Sequence, residues 1–261
     1  MVRQPAVAGK FYPRSPDTLR QTVERYLTEA PPPPQQGALR ALIAPHAGYP
    51  YSGPIAGSAF ASLAAAQEGQ PVRRIVLIGP AHFVPVSALA ASSASAFATP
   101  LGDVAVDSTA PELAHVRPHD AAHRPEHALE VELPFLQTVL DDFQIVPLLV
   151  GQAAPDSVAD TLQTLWDEET VLVVSSDLSH YHDYQTATRL DAETARRIEA
   201  LQLLDEDAAC GRAAINGLLR LAQQNGWRAH TVDLRNSGDT AGPRDRVVGY
   251  GAFVFTENGS S

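Results

Sequence analysis

The sequence predicts a single α/β domain with a central, mostly parallel or mixed sheet between helical layers. Three observations lead there. Near-continuous apolar runs, IVLIG at 75–79, IVPLLVG at 145–151 and TVLVVSS at 170–176, have the composition of strands buried on both faces. These runs alternate with helix-length segments, the pattern of a parallel sheet with crossover helices and, commonly, an antiparallel edge. Finally, three strands each lead into a histidine-bearing loop: Leu42 to Ala44 into PHAGY, Ile75 to Ile78 into GPAH, and Val171 to Val174 into SSDLSH. Ligands of open α/β sheets bind beyond the carboxyl ends of the strands.

Taken in order, Ser15-Pro16-Asp17 opens a helix, with serine at the N-cap, proline at the first helical position and an acid in the first turn. Leu19, Val23 and Leu27 give that helix one apolar stripe. It stops at a stiff proline-rich connector, residues 31–37. Beyond it strands are expected near 39–44, 73–79, 144–150, 170–176, 228–234 and 247–255, and helices near 54–66, 128–140, 155–167, 185–203 and 211–225. The stretch 87–106 is ambiguous. No repeat divides the chain, so 1–261 reads as one domain, ending in a disordered tail at 257–261.

The 261 residues are 44% hydrophobic, enough for a sizeable core. Against 19 basic residues stand 30 acidic ones, a net charge of −11, which argues against nucleic acid as a partner. Cys210 is the sole cysteine, so no intrachain disulfide forms, and a reducing cytoplasm fits. The opening MVRQPAVAGKFYPRS carries no signal-peptide core. No run approaches the roughly 20 apolar residues of a membrane span. A P-loop, a G-x-S-x-G elbow and HExxH are all absent from the sequence.

If the three strands are parallel neighbours, His46, His82 and His180 converge, which points to a metal site or acid–base chemistry. Apolar Phe83 and Val84 beside His82 favour its neutral, ligating form. Asp177 and His180 would share one face if they begin a helical turn, with the carboxylate orienting the imidazole. His127 and Glu130, three apart in EHALEVELPF, would face one pocket before Pro134 kinks or ends the turn; Glu130 and Glu132 read equally as helix-start acids. His115, His119 and His123 read as a solvated loop, His182 and Tyr184 as solvent-facing, and His230 as a strand residue. Cys210 reads either as a small buried hydrophobe or as a thiol whose pKa a helix start lowers.

Together, AVAGKFYP, APHAGYPYSG, GPAHFVP, EHALEVELPFL, SSDLSHY, CGR at 210–212 and NSGDTAG followed by VVGYGA resemble the Memo family, whose bacterial members are called AmmeMemoRadiSam system protein B. The blocks run in family order from residue 3 to about 254. The resemblance implies a fold like that of the class III extradiol non-haem iron dioxygenases. It also implies a metal pocket of His46, His82 and Cys210, an acid–base histidine at His180, with Asp177 lining the pocket and His127 bordering it. Those dioxygenases use a carboxylate as third ligand. The resemblance implies Fe(II), and the softer thiolate admits copper or zinc as alternatives. Two functions are in view. One is an oxygenase or redox enzyme acting on a small substrate. The other is a non-catalytic metal- or partner-binding protein working with AMMECR-like and radical-SAM proteins. A zinc hydrolase is a lesser third.

Overall fold

The computed structural model describes residues 1–32, 37–67, 69 and 71–257. Most of the expected proline connector, at 33–36, and the expected tail from 258 onward lie outside them. The amino-terminal third holds β1 (Val2–Arg3), α1 (Pro16–Thr28), β2 (Leu39–Ala44), α2 (Tyr49–Ala66) and β3 (Arg74–Pro80). The middle holds β4 (Leu89–Ala91), β5 (Ala96–Thr99), β6 (Gly102–Val106), β7 (Val116–Pro118), α3 (Asp120–His123), α4 (Leu133–Val139) and β8 (Gln144–Val150). The remainder holds α5 (Pro155–Leu165), β9 (Thr170–Ser175), β10 (His180–His182), α6 (Tyr184–Glu199), α7 (Arg212–Asn225), β11 (Arg228–Asn236) and β12 (Val247–Thr256).

The strands form one 12-stranded mixed sheet in the order β1-β5-β6-β8-β3-β9-β2-β12-β10. Off that path β11 pairs with β12, and β4 joins β7 to β8. Its centre, β6-β8-β3-β9-β2, is parallel throughout, and β12 closes antiparallel onto β2. Side chains alternate across these strands. Leu42, Ile75, Leu77, Val171 and Val173 pack with Leu19 and Val23 of α1, Phe60 of α2 and Phe135 of α4. Ile43, Val76, Ile78, Leu172 and Val174 pack with Leu162 of α5, Ile198 of α6 and Leu218 of α7. Each fully buried side chain of this kind contributes about 1.5–3 kcal/mol, which is why uninterrupted apolar runs specify the central strands. Among the described residues no helix is long and apolar enough to cross a membrane.

Several expectations shift. Helix α2 starts at Tyr49 on a Gly48 N-cap, with Pro50 in its first turn and Pro54 inside it, rather than at 54. Ser15 occupies the N-cap of α1, but its side chain makes no capping bond. The helix expected at 128–140 is a single 3-10 turn, Glu130–Glu132, followed by α4. Pro134 sits in the first turn of α4, so it starts a helix instead of ending one. The ambiguous stretch 87–106 supplies β4, β5 and β6.

Candidate metal centre

β3, β9 and β2 are adjacent in the sheet, so their carboxyl ends deliver three loops to one place. Ala44 and Ser175 are register partners, and each chain runs two residues further to His46 and Asp177. The two loops are tied together there: Ser176 N–H donates to Ala44 O at 2.8 Å, and His46 N–H donates to Asp177 Oδ1 at 2.8 Å. His46 is 2% exposed. Burial, with the His82 charge adding, lowers its pKa to about 3, so the imidazole is neutral with a lone pair available to a cation.

His82 follows β3 and remains accessible to solvent. Its backbone N–H and Nδ1 both meet Glu126, at 2.6 and 2.9 Å. Glu126 also accepts the N–H groups of His127 and Ala128, at 2.9 and 3.0 Å. Burial pushes the Glu126 carboxyl up, but the His82 ring and these N–H donors more than offset it and hold the pKa down to about 2. With Nδ1 bonded to that carboxylate, the Nε2 edge of His82 is the one free to ligate.

Cys210 arrives from the start of α7. Gly211 N–H donates to Ser176 Oγ at 2.8 Å, and Cys210 N–H to Asp177 O at 3.2 Å. The approach depends on glycine: a Cβ on Gly211 would lie 2.6 Å from Ser176 Cβ and 2.8 Å from Ser175 O. Cys210 Sγ consequently lies 3.3 Å from His46 Nε2 and accepts the Asp177 N–H at 3.3 Å. Its pKa moves opposite to the helix-start expectation. Burial, aided by Asp177, pushes the thiol up to about 12, against the backbone N–H and Ser176 hydroxyl that oppose it. Dehydration outweighs the helix end.

One ligand atom from each of His46, His82 and Cys210 lies within 4.8 Å of the others, the spacing of a group that could hold a metal ion. His82, Glu126 and His127 form a second such group. There Glu126 already receives four N–H bonds, which suits it to orienting His82 rather than to binding an ion itself. His127 borders the site, its ring 4.9 Å from that of His82 and 4.9 Å from Phe11, and burial lowers its pKa to about 4.

Asp177 is 5% exposed, and burial raises its pKa despite the nearby charges of His180, His127 and His82. The helical turn expected to align it with His180 does not form. Leu178 N–H bonds Gly249 O, and Gly249 N–H bonds Ser179 O, which keeps this loop extended along β12. The Asp177 carboxylate instead holds the His46 backbone. His180 opens the short strand β10, next to Tyr181 at a strained φ of +64°, and lines a cavity of about 1130 Å³ together with Ser179, Cys210 and Arg212.

The other candidates separate. Glu130 does not face the pocket; it accepts Arg3, the Ala6 and Val7 N–H groups and Tyr12 Oη, anchoring the amino-terminal segment. Glu132 is fully buried, with Oε1 2.9 Å from Ser175 Oγ. His123, expected in a solvated loop, is 2% exposed with Nε2 bonded to Ala90 O at 3.0 Å, because α3 docks against β4. His119 caps α3 through Nδ1 and the Ala122 N–H, and His115 is exposed. His182 is exposed, Tyr184 Oη donates to Asp239, and His230 lies in β11. Sequence reasoning missed Glu126 and Ser175 as parts of the site. Their only local signals are a glutamate directly before His127 and a serine ending a strand.

The family model described as "Memo-like protein" matches residues 3–254. A protein named "MEMO1 family protein" from Archaeoglobus fulgidus is 34% identical over 277 residues, covering 97% of this chain and 99% of its own. A "MEMO1 family protein" from Saccharolobus solfataricus is 33% identical over 285 residues, covering 98% and 99%. One from Saccharolobus islandicus is 32% identical over 285 residues. With matches of that extent on a chain whose motif histidines meet at one end of the sheet, the protein belongs to the Memo family.

Proposed function

We propose that this chain is a metal-dependent redox protein of oxygenase type acting on a small substrate, with Fe(II) held by His46, His82 and Cys210. The observation that carries this is the meeting of three soft-to-borderline donors within 4.8 Å, one of which, Cys210, lines a cavity large enough for a metabolite. The donor set fits a divalent ion: His46 is neutral, His82 is fixed by a carboxylate, and the Cys210 thiol is desolvated next to an N–H donor. A bound ion would supply Lewis acidity and, for iron or copper, one-electron chemistry. His180 shares the cavity wall with Cys210, where it can take or return a proton on a substrate hydroxyl. Asp177 holds the His46 loop and places a buried carboxyl within the electrostatic reach of His180. Burial of His46 and Asp177 keeps water from the inner side of the site.

The test is metal analysis of anaerobically purified protein, then reconstitution with Fe(II), Cu(I) and Zn(II) separately. Stoichiometric Fe(II) with substrate-dependent O₂ uptake, lost in His180→Ala at unchanged metal content, supports the proposal. Activity with zinc alone and no O₂ uptake overturns the redox chemistry in favour of hydrolysis. A second reading is a non-catalytic metal- and partner-binding protein, working with AMMECR-like and radical-SAM proteins. It is favoured by Phe83 and Tyr181, 56% and 63% exposed, beside His127 and His180 respectively. It requires His180→Ala to impair capture of such a partner while no turnover exists to lose.

A further inference from the structure

Ser175 Oγ, at the carboxyl end of β9, has three polar neighbours: Ala128 O at 2.6 Å, His46 Nδ1 at 2.8 Å and Glu132 Oε1 at 2.9 Å. A serine hydroxyl carries one proton and can accept two bonds. Two oxygens 2.6 Å apart need a proton between them, and the Ala128 carbonyl has none to give. The hydroxyl proton is therefore committed to Ala128. Both remaining neighbours must donate into the Ser175 oxygen. His46 must carry its proton on Nδ1, and Glu132 must carry one on Oε1.

We infer that Glu132 is a neutral carboxylic acid which, through Ser175, fixes the tautomer and ring orientation of His46, making it a positioning residue for the metal centre. A second observation agrees. Glu132 is fully buried and, among the described residues, its Oε2 has no hydrogen-bond partner. An ionised carboxylate would strand charge on that buried oxygen, whereas the carbonyl of a neutral acid tolerates it at far less cost. Burial, with the Asp177 charge adding, likewise pushes its ionisation well up, and Tyr49 lies within its electrostatic reach. The consequence falls on the opposite edge of the ring. With Nδ1 protonated, His46 Nε2 presents its lone pair towards Cys210 Sγ, 3.3 Å away. An acid normally read as a buried charge thus acts as a hydrogen-bond donor, two links from a ligand position.

Two measurements on the metal-free protein test this directly. Infrared spectroscopy should show the carbonyl stretch of a protonated carboxylic acid at neutral pH, shifting in D₂O and absent from Glu132→Gln. Nitrogen NMR of the histidine rings, with His46 assigned by its substitution, should show a pyrrole-type Nδ1 and a pyridine-type Nε2. Absence of the acid band, or the opposite tautomer, overturns the inference. A third arm rests on the proposed ligand role of His46. Glu132→Gln, whose amide N–H can donate to Ser175, should bind Fe(II) within about twofold of wild type, while Glu132→Leu should lose about 10–100-fold, the usual effect of removing an outer-shell partner. Equal losses in Gln and Leu would mean that a negative carboxylate is needed, and would overturn it. If the wild-type protein binds no metal, the ligand assignment falls, while the infrared and NMR results still decide the state of Glu132.

Discussion

Cys210 Sγ lies 3.3 Å from His46 Nε2, although the two residues are 164 positions apart in the chain. Nothing local to either residue produces that contact. It follows from β2 and β9 being neighbours and from α7 starting directly above the end of β9. Cys210→Ala should therefore cost more metal affinity than any outer-shell change, at least about 100-fold where an outer-shell loss costs about 10–100-fold. Competition against a chromophoric chelator measures it. Because Cys210 is half-buried and its thiol supports one backbone N–H, that of Asp177, the same substitution should lower the urea midpoint only modestly.

Gly211→Ala tests the close approach itself. The added methyl would meet Ser176 Cβ at 2.6 Å and Ser175 O at 2.8 Å, both held by sheet hydrogen bonds, so α7 must move instead. Overpacking of this kind costs about 1–3 kcal/mol. We expect a lower unfolding midpoint together with weaker metal binding, the second because Cys210 is carried away with the helix start. Unchanged affinity in a destabilised variant would show that the thiol does not need this placement.

How far the site could be read from sequence follows the same division. The histidine tips of β2 and β3 are legible because a run of apolar residues ending in Pro-His or Gly-Pro-x-His is a local pattern. The parallel centre of the sheet is legible for the same reason: Ile75 to Ile78 and Val171 to Val174 are apolar on both faces. Cys210 stands out only through the motif resemblance, since its position depends on the fit of Gly211 against Ser176. Ser175 and Glu126 are ordinary residues until β9 meets residue 46 and the 126–128 turn meets His82. β10 is illegible because His180–His182 is polar and pairs only through the backbone of β12.

Two buried glutamates four residues apart should behave oppositely. Glu126 faces His82, and Glu126→Gln should lower metal affinity by about 10–100-fold with a modest effect on stability. Glu130 holds Arg3, Tyr12 and two backbone N–H groups of the amino-terminal segment, so Glu130→Ala leaves the buried Arg3 guanidinium with carbonyl partners at His123 and Glu126 but without the counter-charge it holds now. Breaking such a pair costs about 3–5 kcal/mol. Equilibrium unfolding paired with metal titration separates the two roles; a reversed pattern would exchange them.

His123 contributes to the pH dependence of stability alongside His46 and His127, whose pKa values burial also lowers. Burial lowers the His123 pKa to about 4 from an unfolded value of 6.5, although the Ala90 carbonyl bonded to Nε2 opposes the shift. Between these two values the unfolded chain binds a proton that the folded one does not, so stability rises with pH across that window. The contribution is fully present above about pH 6.5, is lost progressively as pH falls towards 4, and is constant below. A shift of that size corresponds to about 3 kcal/mol, at about 1.4 kcal/mol per unit. Urea midpoints measured from pH 7.5 to pH 4 should fall for the wild-type protein. In His123→Gln, whose amide can still donate to Ala90 O without titrating, the fall in unfolding free energy should be smaller by about that amount. Parallel curves for the two proteins would mean that His123 takes up its proton without unfolding the α3–β4 contact.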